Sequence, residues 1–269
     1  MTALLEISGL TLRAGGQALV SDLSLRVEPG ARVGLIGESG SGKSLTALAA
    51  VGLLPPEIRA EGSVMLDGRQ VVGAREETLV ELRGRAAAFV FQEPLTALDP
   101  LMKVGRQIGE PLARRYRREG RSPGRREIAR KVRELLERVS LPDVDRVARA
   151  YPFEISGGQR QRVAIAMALA CRPRLLIADE PTTALDVTTQ SEILDLLSDL
   201  VREEGMALLF ISHDLPVVAR VAEEVTVLRH GAVVEQGPAR TVLRDPAHPY
   251  TKMLVEAAAA FDRALEPAR

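Results

Sequence analysis

A glycine-rich loop between an apolar strand and a helix constrains this chain more than any other feature of its sequence. Residues 33–36 predict a buried strand, and helical spacing from about Lys43 to Leu54 ends at Pro55 and Pro56. The loop fits the pattern G-x-x-x-x-G-K-[ST]. Its residues are Gly37, Glu38, Ser39, Gly40, Ser41, Gly42, Lys43 and Ser44. This arrangement predicts an α/β fold in which loop N–H groups and the helix N-terminus bind phosphate.

A pair of carboxylates follows a second apolar segment, residues 175–178. Asp179 is expected to hold Mg²⁺, directly or through water. Glu180 is expected to polarise an attacking water as a general base. In the glycine-rich loop, Lys43 is expected to reach the β and γ phosphates of a nucleotide, and the Ser44 hydroxyl to bind Mg²⁺. Together the two segments predict nucleotide hydrolysis.

Length and composition predict a soluble globular chain. Its 269 residues allow a sizeable core, and its 36 basic and 36 acidic residues give no overall attraction to nucleic acid or anionic lipid. No apolar run approaches the roughly 18–20 residues of a membrane-spanning helix, and the first residues lack the features of a signal peptide. Cys171 is the only cysteine, so an internal disulfide is excluded. The chain is therefore expected in the cytoplasm.

The sequence pattern changes twice along the chain. Short strands are predicted at 5–7, 11–13 and 23–27, and later strands at 175–178, 208–211, 225–228 and 233–236. Between them, helical periodicity dominates. We predict an α/β nucleotide-binding core, residues 1–92 and 157–269, with an N-terminal antiparallel β subdomain and a C-terminal helical end. Residues 93–156 are predicted to be an inserted helical subdomain.

A run of basic residues between Arg114 and Arg138 has two interpretations. It fits contact with phospholipid headgroups or RNA, and it also fits a solvated helix face. Glu119, Glu127 and Glu134 are interspersed, and only Tyr116 is available nearby for base stacking. These residues favour the solvated face, and no nucleic-acid partner is expected.

Four further motifs resemble those of ATP-binding cassette (ABC) ATPases, and the resemblance covers essentially the whole chain. Gln92 matches the Q-loop glutamine, Asp186 the D-loop aspartate and His213 the switch histidine. The signature is matched by Ser156, Gly157, Gly158 and Gln159. Ile155 stands where leucine is usual, a change that conserves volume.

The resemblance implies a role for each matched residue. Gln92 would contact Mg²⁺ and water and relay the nucleotide state to the helical subdomain. His213 would contact the γ-phosphate, and Asp186 would bridge two cassettes. The signature residues would complete the ATP site of an opposite subunit. ATP and Mg²⁺ are the implied cofactors, and the chain is expected to hydrolyse ATP.

One family feature is missing near the N-terminus. ABC ATPases usually stack adenine on an aromatic residue, but residues 10–20 contain none, and Ala14 lies about where the ring is expected. Base stacking on proteins contributes about 1–3 kcal/mol. We therefore expect weaker nucleotide affinity or looser base discrimination, with binding retained through the phosphate contacts.

Two segments indicate a branch of the family. Residues 91–100 and 245–251 resemble segments of the ATPases of oligopeptide, dipeptide and nickel importers. Many peptide-importing relatives extend further, to a cysteine cluster that this sequence lacks. The chain thus resembles the shorter nickel-type members or a shortened peptide-type subunit. Peptides, nickel or a similar small solute all stay open.

The resemblance also implies partners and a location. A second ABC ATPase subunit is expected, with a heterodimer favoured over a homodimer, together with two transmembrane permease subunits. An extracytoplasmic solute-binding protein would take part indirectly. The expected location is peripheral, on the cytoplasmic face of the cell membrane.

A different class of function has similar motifs. Soluble ABC ATPases drive non-transport enzyme complexes, such as carbon–phosphorus lyase machinery, and neighbouring permease genes would distinguish the two. A non-hydrolysing regulatory module is disfavoured by Glu180 and His213. DNA-repair and chromosome-structuring members carry zinc modules or long coiled coils that this sequence lacks.

Overall fold

The structure is a computed structural model that describes residues 2–183 and 185–265. The chain forms two compact units. The first runs up to Leu82 and resumes at Gly205, and the second runs from Arg83 to Glu204. The second unit thus contains the predicted helical subdomain, residues 93–156, together with flanking strands and helices. The predicted domain boundaries stay a prediction.

Strands dominate the start of the chain, and helices dominate the second unit. Before Leu82 the elements are β1 (Leu5–Ala14), β2 (Gln17–Val27), β3 (Arg32–Ile36), α1 (Lys43–Ala50), β4 (Arg59–Leu66), β5 (Arg69–Gln70) and α2 (Glu76–Leu82). The second unit contains β6 (Ala87–Val90), α3 (Pro94–Ala97), α4 (Val104–Arg118), α5 (Arg125–Arg138), α6 (Val144–Arg149), a short 3-10 helix (Pro152–Glu154), α7 (Gly157–Leu169), β7 (Leu175–Asp179) and α8 (Val187–Glu204). After Gly205 come β8 (Ala207–Ser212), α9 (Leu215–Val221), β9 (Glu224–Arg229), β10 (Ala232–Pro238), α10 (Ala239–Arg244) and α11 (Pro249–Leu265).

The N-terminal sheet is antiparallel, in the order β2-β1-β4-β5. The two short strands predicted at 5–7 and 11–13 are one strand, β1, so that prediction was wrong. The register shifts between Ile7 and Leu10, next to Gly9 at φ +60°. A β-bulge at this point moves the alternation of buried side chains by one residue, which made the pattern look like two segments.

Parallel strands form the centre of the first unit. β3 pairs in parallel with both β8 and β9, and β10 pairs with β9 in the antiparallel sense. All six residues of β8 are buried. Strands covered on both faces are typically continuous apolar runs, which explains why residues 208–211 were recognisable from sequence.

Helix α1 ends at Ala50, four residues before the predicted end at Leu54. Gly52 adopts φ +65°, the Gly52 N–H donates to the Ala49 carbonyl, and the Leu53 N–H donates to the Leu48 carbonyl. This is the Schellman arrangement, in which a left-handed residue terminates a helix. Gly52 therefore terminates the helix, and Pro55 and Pro56 lie beyond its end.

In the second unit, β6 and β7 pair in parallel, with Val90 opposite Ala178. All five residues of β7 are buried. Helices α4, α5 and α6 pack on one another, and α7 packs against α3, α4, α5 and β6. Because β6 and β7 run in parallel, the residues that follow the two strands lie at one edge of the strand pair.

Basic side chains on α4 and α5 form ion pairs with acidic neighbours. Arg115 pairs with Glu119, and Arg121, between the two helices, pairs with Glu127. Others join Arg106 to Glu110, Arg130 and Lys131 to Glu134, and Arg133 to Asp145. These contacts fit the solvated-face interpretation, because each brings opposite charges together at the helix surface.

Candidate functional site

The glycine-rich loop connects β3 to α1 in the first unit. The Lys43 side chain is 5% exposed, and its ammonium donates to the carbonyls of Gly37 at 2.7 Å and Glu38 at 2.8 Å. These two bonds hold the charge inside the curve of the loop. A buried ammonium group surrounded by backbone groups of a loop is an arrangement that binds the phosphates of a nucleotide.

Two positions in the loop accept only glycine. Gly37 has φ +152°, and a Cβ there would lie 2.2 Å from the Leu228 carbonyl oxygen. Gly42 has φ +100°, and a Cβ there would lie 2.7 Å from Val20 Cγ2. Both left-handed conformations and both close approaches exclude a side chain. The backbone of the loop is therefore held between β2 and β9.

The same loop contains a polar group that fits an anion. Ser41 is 4% exposed, and its hydroxyl has no hydrogen-bond partner among the described residues. Buried hydroxyls are normally paired, so such a group indicates a ligand contact or a bound water. Together with Lys43 and the N-terminus of α1, it makes the loop suited to phosphate, and the exposed Ser44 lies in the first turn of the same helix.

His213 lies at the same sheet edge as the loop. Ile36, the last residue of β3, pairs with Ser212, the last residue of β8, so Gly37 and His213 leave adjacent parallel strands together. His213 is exposed, and the Asp214 carboxylate that follows accepts the N–H of Val217 and caps α9. Ligands bind at the carboxyl ends of strands in open α/β sheets, and this is such an edge.

The second unit has its own polar cluster at the ends of β6 and β7. Gln92 Nε2 donates to Glu180 Oε2 at 3.2 Å, and Thr183 Oγ1 donates to the same oxygen at 2.9 Å. Asp179, the residue before, is 7% exposed. The structure therefore brings Gln92, Asp179 and Glu180 together, with the Glu180 carboxylate held by two donors.

The backbone at Glu180 is unusual. Its φ is +44°, in the left-handed region that residues other than glycine rarely adopt. Such a conformation costs about 1–3 kcal/mol and persists where surrounding contacts impose it. The turn directs Glu180 away from the line of the buried strand, to where Gln92 and Thr183 bind it.

The signature residues form the start of α7. Ser156 is the N-cap: its hydroxyl accepts the N–H of Gln159, and the Gln159 side chain accepts the N–H of Ser156. Ser156 and Gly157 are exposed, and a Cβ at Gly158 would lie 2.7 Å from Thr189 Cγ2. An exposed helix N-terminus with small residues leaves room for a ligand or a partner to approach the backbone.

Asp186 is linked to the signature through Thr189. Its carboxylate accepts the N–H and the hydroxyl of Thr189 at 3.0 and 2.7 Å, which caps the beginning of α8. These two hydrogen bonds from Thr189 lower the pKa of Asp186. Asp186 is exposed and therefore keeps a charged, accessible carboxylate beside the signature helix.

Ala14, the position where the family usually has an aromatic ring, ends β1 and pairs with Gln17 across the hairpin.

Two residues that contact the candidate site were not predicted from the sequence. Thr183 lies three residues before the D-loop aspartate Asp186, but the sequence predicted no contact between Thr183 and Glu180. Tyr250 belongs to residues 245–251, a motif read only as a branch marker, and its hydroxyl contacts the glycine-rich loop.

Comparison with known proteins identifies the family. Residues 20–183, more than half of the chain, match the family described as ABC transporter. This chain belongs to the ABC transporter family. Residues 234–268 match the oligopeptide/dipeptide transporter, C-terminal region. The two matches together confirm the predicted branch of the ABC family.

Similar curated proteins carry import or transport names. A putative peptide import ATP-binding protein of Brucella ovis is 48% identical over 263 residues, which are 94% of this chain and 76% of that protein. The probable D,D-dipeptide transport ATP-binding protein DdpD of Escherichia coli is 45% identical over 241 residues, which are 89% of this chain and 72% of that protein. Neither supports the alternative of a non-transport complex.

A solved structure agrees with the fold. A dimeric ATP-binding cassette in a post-hydrolysis state, bound to ADP and phosphate, is 31% identical with a TM-score of 0.77, covering 88% of this chain and 99% of that chain. The predicted α/β ABC fold is confirmed. This ABC chain is an ATPase and an ATP-binding subunit of an importer, a kind of subunit that works as a cassette dimer with membrane permeases.

Across residues 2–183 and 185–265, no helix is long and apolar enough to cross a lipid bilayer.

Proposed function

We propose that this ABC subunit binds Mg-ATP and hydrolyses it to drive uptake of peptides. The observation that carries the proposal is the Glu180 carboxylate, held by Gln92 and Thr183 directly after the buried Asp179. The peptide solute is supported by the match of residues 234–268 and by the names of the similar proteins. Nickel or another small solute is the competing cargo.

ATP binding is assigned to the glycine-rich loop and the signature. Lys43 binds the β and γ phosphates, and the N–H groups of residues 37–44 surround them. Mg²⁺ would be held by three side chains: the Ser44 hydroxyl, the Gln92 amide and the Asp179 carboxylate. Each offers an oxygen atom, which is the kind of ligand that Mg²⁺ prefers. When bound, Mg²⁺ neutralises charge on the phosphate oxygens during transfer.

Hydrolysis is assigned to three side chains. Glu180 orients the attacking water and accepts its proton, as a carboxylate acting as general base does. His213 contacts the γ-phosphate from the sheet edge it shares with Gly37. Gln92 holds the Glu180 carboxylate in place and links it to the helical residues that follow β6.

A dimer completes each ATP site. Residues 156–159 of one cassette close on the nucleotide bound by the loop of the other, and Asp186 bridges the two. We favour a heterodimer with a second ABC ATPase, as is frequent in this branch. The helical subdomain, residues 93–156, contacts a permease, so the cassettes work at the cytoplasmic face of the membrane. An extracytoplasmic binding protein delivers the solute.

Two substitutions test the nucleotide site. Lys43→Ala removes the buried cation and should abolish ATP binding, measured by equilibrium titration with a fluorescent ATP analogue. Glu180→Gln keeps the hydrogen-bonding shape without the base, so turnover should fall at least about 100-fold while an ATP-bound dimer accumulates. Normal turnover in Glu180→Gln would remove Glu180 as the base.

A pull-down tests the transport role. Glu180→Gln, recovered from native membranes in Mg-ATP, should retain two multi-span permeases and a second cassette. Recovery of soluble enzymes alone would contradict the importer proposal. Uptake of labelled peptides by the reconstituted complex, compared with uptake of Ni²⁺, would then identify the solute class.

A further inference from the structure

The C-terminal segment of the chain contacts the phosphate-binding loop. The Glu38 N–H donates to the hydroxyl oxygen of Tyr250 at 3.0 Å, across 212 positions of sequence. Tyr250 lies in the first turn of α11 and is 3% exposed. Glu38 itself is exposed, but the tyrosine that accepts its N–H is buried, so the contact ties the exposed loop to the interior of the first unit.

The Tyr250 ring is held from a second side. The Arg229 guanidinium lies 4.9 Å from the ring centroid, within the range of a cation–π contact. Arg229 ends β9 directly after Leu228, whose carbonyl approaches Gly37. Burial raises the pKa of Tyr250, so the hydroxyl stays protonated at neutral pH. The end of β9 thus contacts both the loop and the tyrosine that binds it.

The backbone before Tyr250 is also fixed. The Glu235 carboxylate on β10 accepts the N–H groups of Ala247 at 2.8 Å and His248 at 3.1 Å. His248 Nδ1 accepts the N–H of Tyr250 at 3.2 Å. Three hydrogen bonds therefore determine where α11 begins and where the tyrosine lies.

One peptide unit connects Tyr250 with Lys43. The Glu38 N–H and the Gly37 carbonyl belong to the same peptide plane, and that carbonyl accepts the Lys43 ammonium at 2.7 Å. Because a peptide unit is planar and rigid, fixing its N–H also fixes the direction of its C=O. The tyrosine hydroxyl therefore sets the orientation of the group that holds the lysine.

We propose that Tyr250 is a positioning residue for the ATP site, orienting the Gly37–Glu38 peptide and through it the Lys43 ammonium. It acts before nucleotide arrives, by keeping the loop in its phosphate-binding conformation. This inference rests on the proposed role of Lys43 in binding ATP. It gives residues 245–251 a function inside the nucleotide site, beyond that of a family marker.

The test removes the hydroxyl alone. Tyr250→Phe keeps the ring and its contact with Arg229 but leaves the Glu38 amide unpaired. ATP affinity of the full-length chain, titrated with a fluorescent ATP analogue, should fall about two- to tenfold, the range for one lost hydrogen bond. KM for ATP should rise by a similar factor with kcat nearly unchanged, and amide exchange of the loop peptide containing Glu38 should accelerate.

Matched controls separate positioning from general destabilisation. Tyr116→Phe makes the same change at a buried tyrosine of α4 and should leave ATP affinity and KM unchanged. Glu235→Ala releases the turn that precedes Tyr250 and should weaken ATP binding in the same direction. An equal loss of affinity in Tyr116→Phe would overturn the inference.

The two proposals fail in different ways. If Tyr250→Phe binds ATP as tightly as the wild type while Lys43→Ala does not bind, the positioning role is wrong and the ATP site stands. If Lys43→Ala binds normally, the assigned ATP site itself is wrong. Lower affinity in Tyr250→Phe with faster exchange at the Glu38 peptide supports the positioning role.

Discussion

Gln92 donates a hydrogen bond of 3.2 Å to the carboxylate of Glu180, across 88 positions of sequence. The contact arises because β6 and β7 pair in parallel, which brings the residues after both strands to one edge. In the proposed mechanism Glu180 is the base, and Gln92 begins the segment that leads into the helical subdomain. Movement of that segment would then weaken or strengthen the hydrogen bond that orients the Glu180 carboxylate. In this way a movement of the helical subdomain against the permease could change the rate of hydrolysis.

The second donor to Glu180 gives the first prediction. Thr183→Ala removes the 2.9 Å bond but keeps Gln92 and the backbone turn. We expect kcat for ATP hydrolysis to fall about three- to tenfold, because the carboxylate loses an orienting hydrogen bond. ATP affinity should stay unchanged, since Thr183 contacts the base. Steady-state ATPase assays and nucleotide titration measure the two quantities.

An exposed threonine elsewhere provides the control for Thr183→Ala. Thr241 lies on α10, and Thr241→Ala should leave kcat unchanged. If Thr183→Ala hydrolyses ATP at the wild-type rate, the threonine does not orient the base.

Gly37 gives a prediction of steric origin. Gly37→Ala places a Cβ 2.2 Å from the Leu228 carbonyl oxygen, so the loop must move away from β9. We expect ATP affinity to fall at least about tenfold and the free energy of unfolding to fall by about 2 kcal/mol. Gly124→Ala is the control, since its Cβ would meet open space at a negative φ. Equal affinities in the two variants would contradict the close approach.

Glu235 predicts a dependence of stability on pH. Burial raises the pKa of this carboxyl. Hydrogen-bond donors around it, among them the N–H groups of Ala247 and His248, lower the pKa by more than burial raises it. The net result is a pKa below the ordinary value of 4.5. A lowered folded-state pKa gives stability that is present above pH 4.5 and is lost as pH falls through the folded pKa. The stability difference between wild type and Glu235→Gln should therefore shrink on acidification.

Urea unfolding midpoints between about pH 6 and about pH 3, a range that extends below the ordinary pKa of 4.5, measure this effect. Glu224→Gln, at an exposed carboxylate at the start of β9, is the control and should lower the midpoint little. A pH-independent difference for Glu235→Gln would show that the ionised carboxylate contributes nothing to stability.

The missing aromatic near the N-terminus predicts a gain of affinity. Ala14 lies at the end of β1, in the hairpin with Gln17, and Ala14→Tyr supplies a ring where the family usually has one. Stacking of about 1–3 kcal/mol corresponds to at least about fivefold tighter ATP binding. Ala18→Tyr, at an exposed alanine on the other strand of the hairpin, should change affinity little. Equal affinities of Ala14→Tyr and wild type would show that adenine is held elsewhere.

Features encoded within one short segment were predictable from the sequence. The strand, loop and helix around Lys43 are consecutive, and glycines at 37, 40 and 42 are needed wherever a loop takes these dihedral angles. The buried strands β7 and β8 are continuous apolar runs, and their ends carry the acidic pair and His213. In these cases the local pattern and the tertiary structure impose the same requirement, so one implies the other.

Two local predictions failed for local reasons. The bulge next to Gly9 shifted the alternation of β1, and Gly52 ended α1 before the prolines. In both cases the apolar spacing predicted one boundary of the element, whereas a glycine at positive φ determined the boundary that the structure has.

The contacts between distant segments were decided by the tertiary structure alone. The sequence by itself determined the family, the α/β class and the residue types of the ATP site, because these depend on motifs a few residues long. It did not determine that Gln92 binds Glu180 or that Tyr250 binds the Glu38 amide. Those bonds exist only because paired strands and the anchored start of α11 bring remote residues within 3.2 Å, and hydrophobic periodicity carries no information about which remote partner a polar group meets.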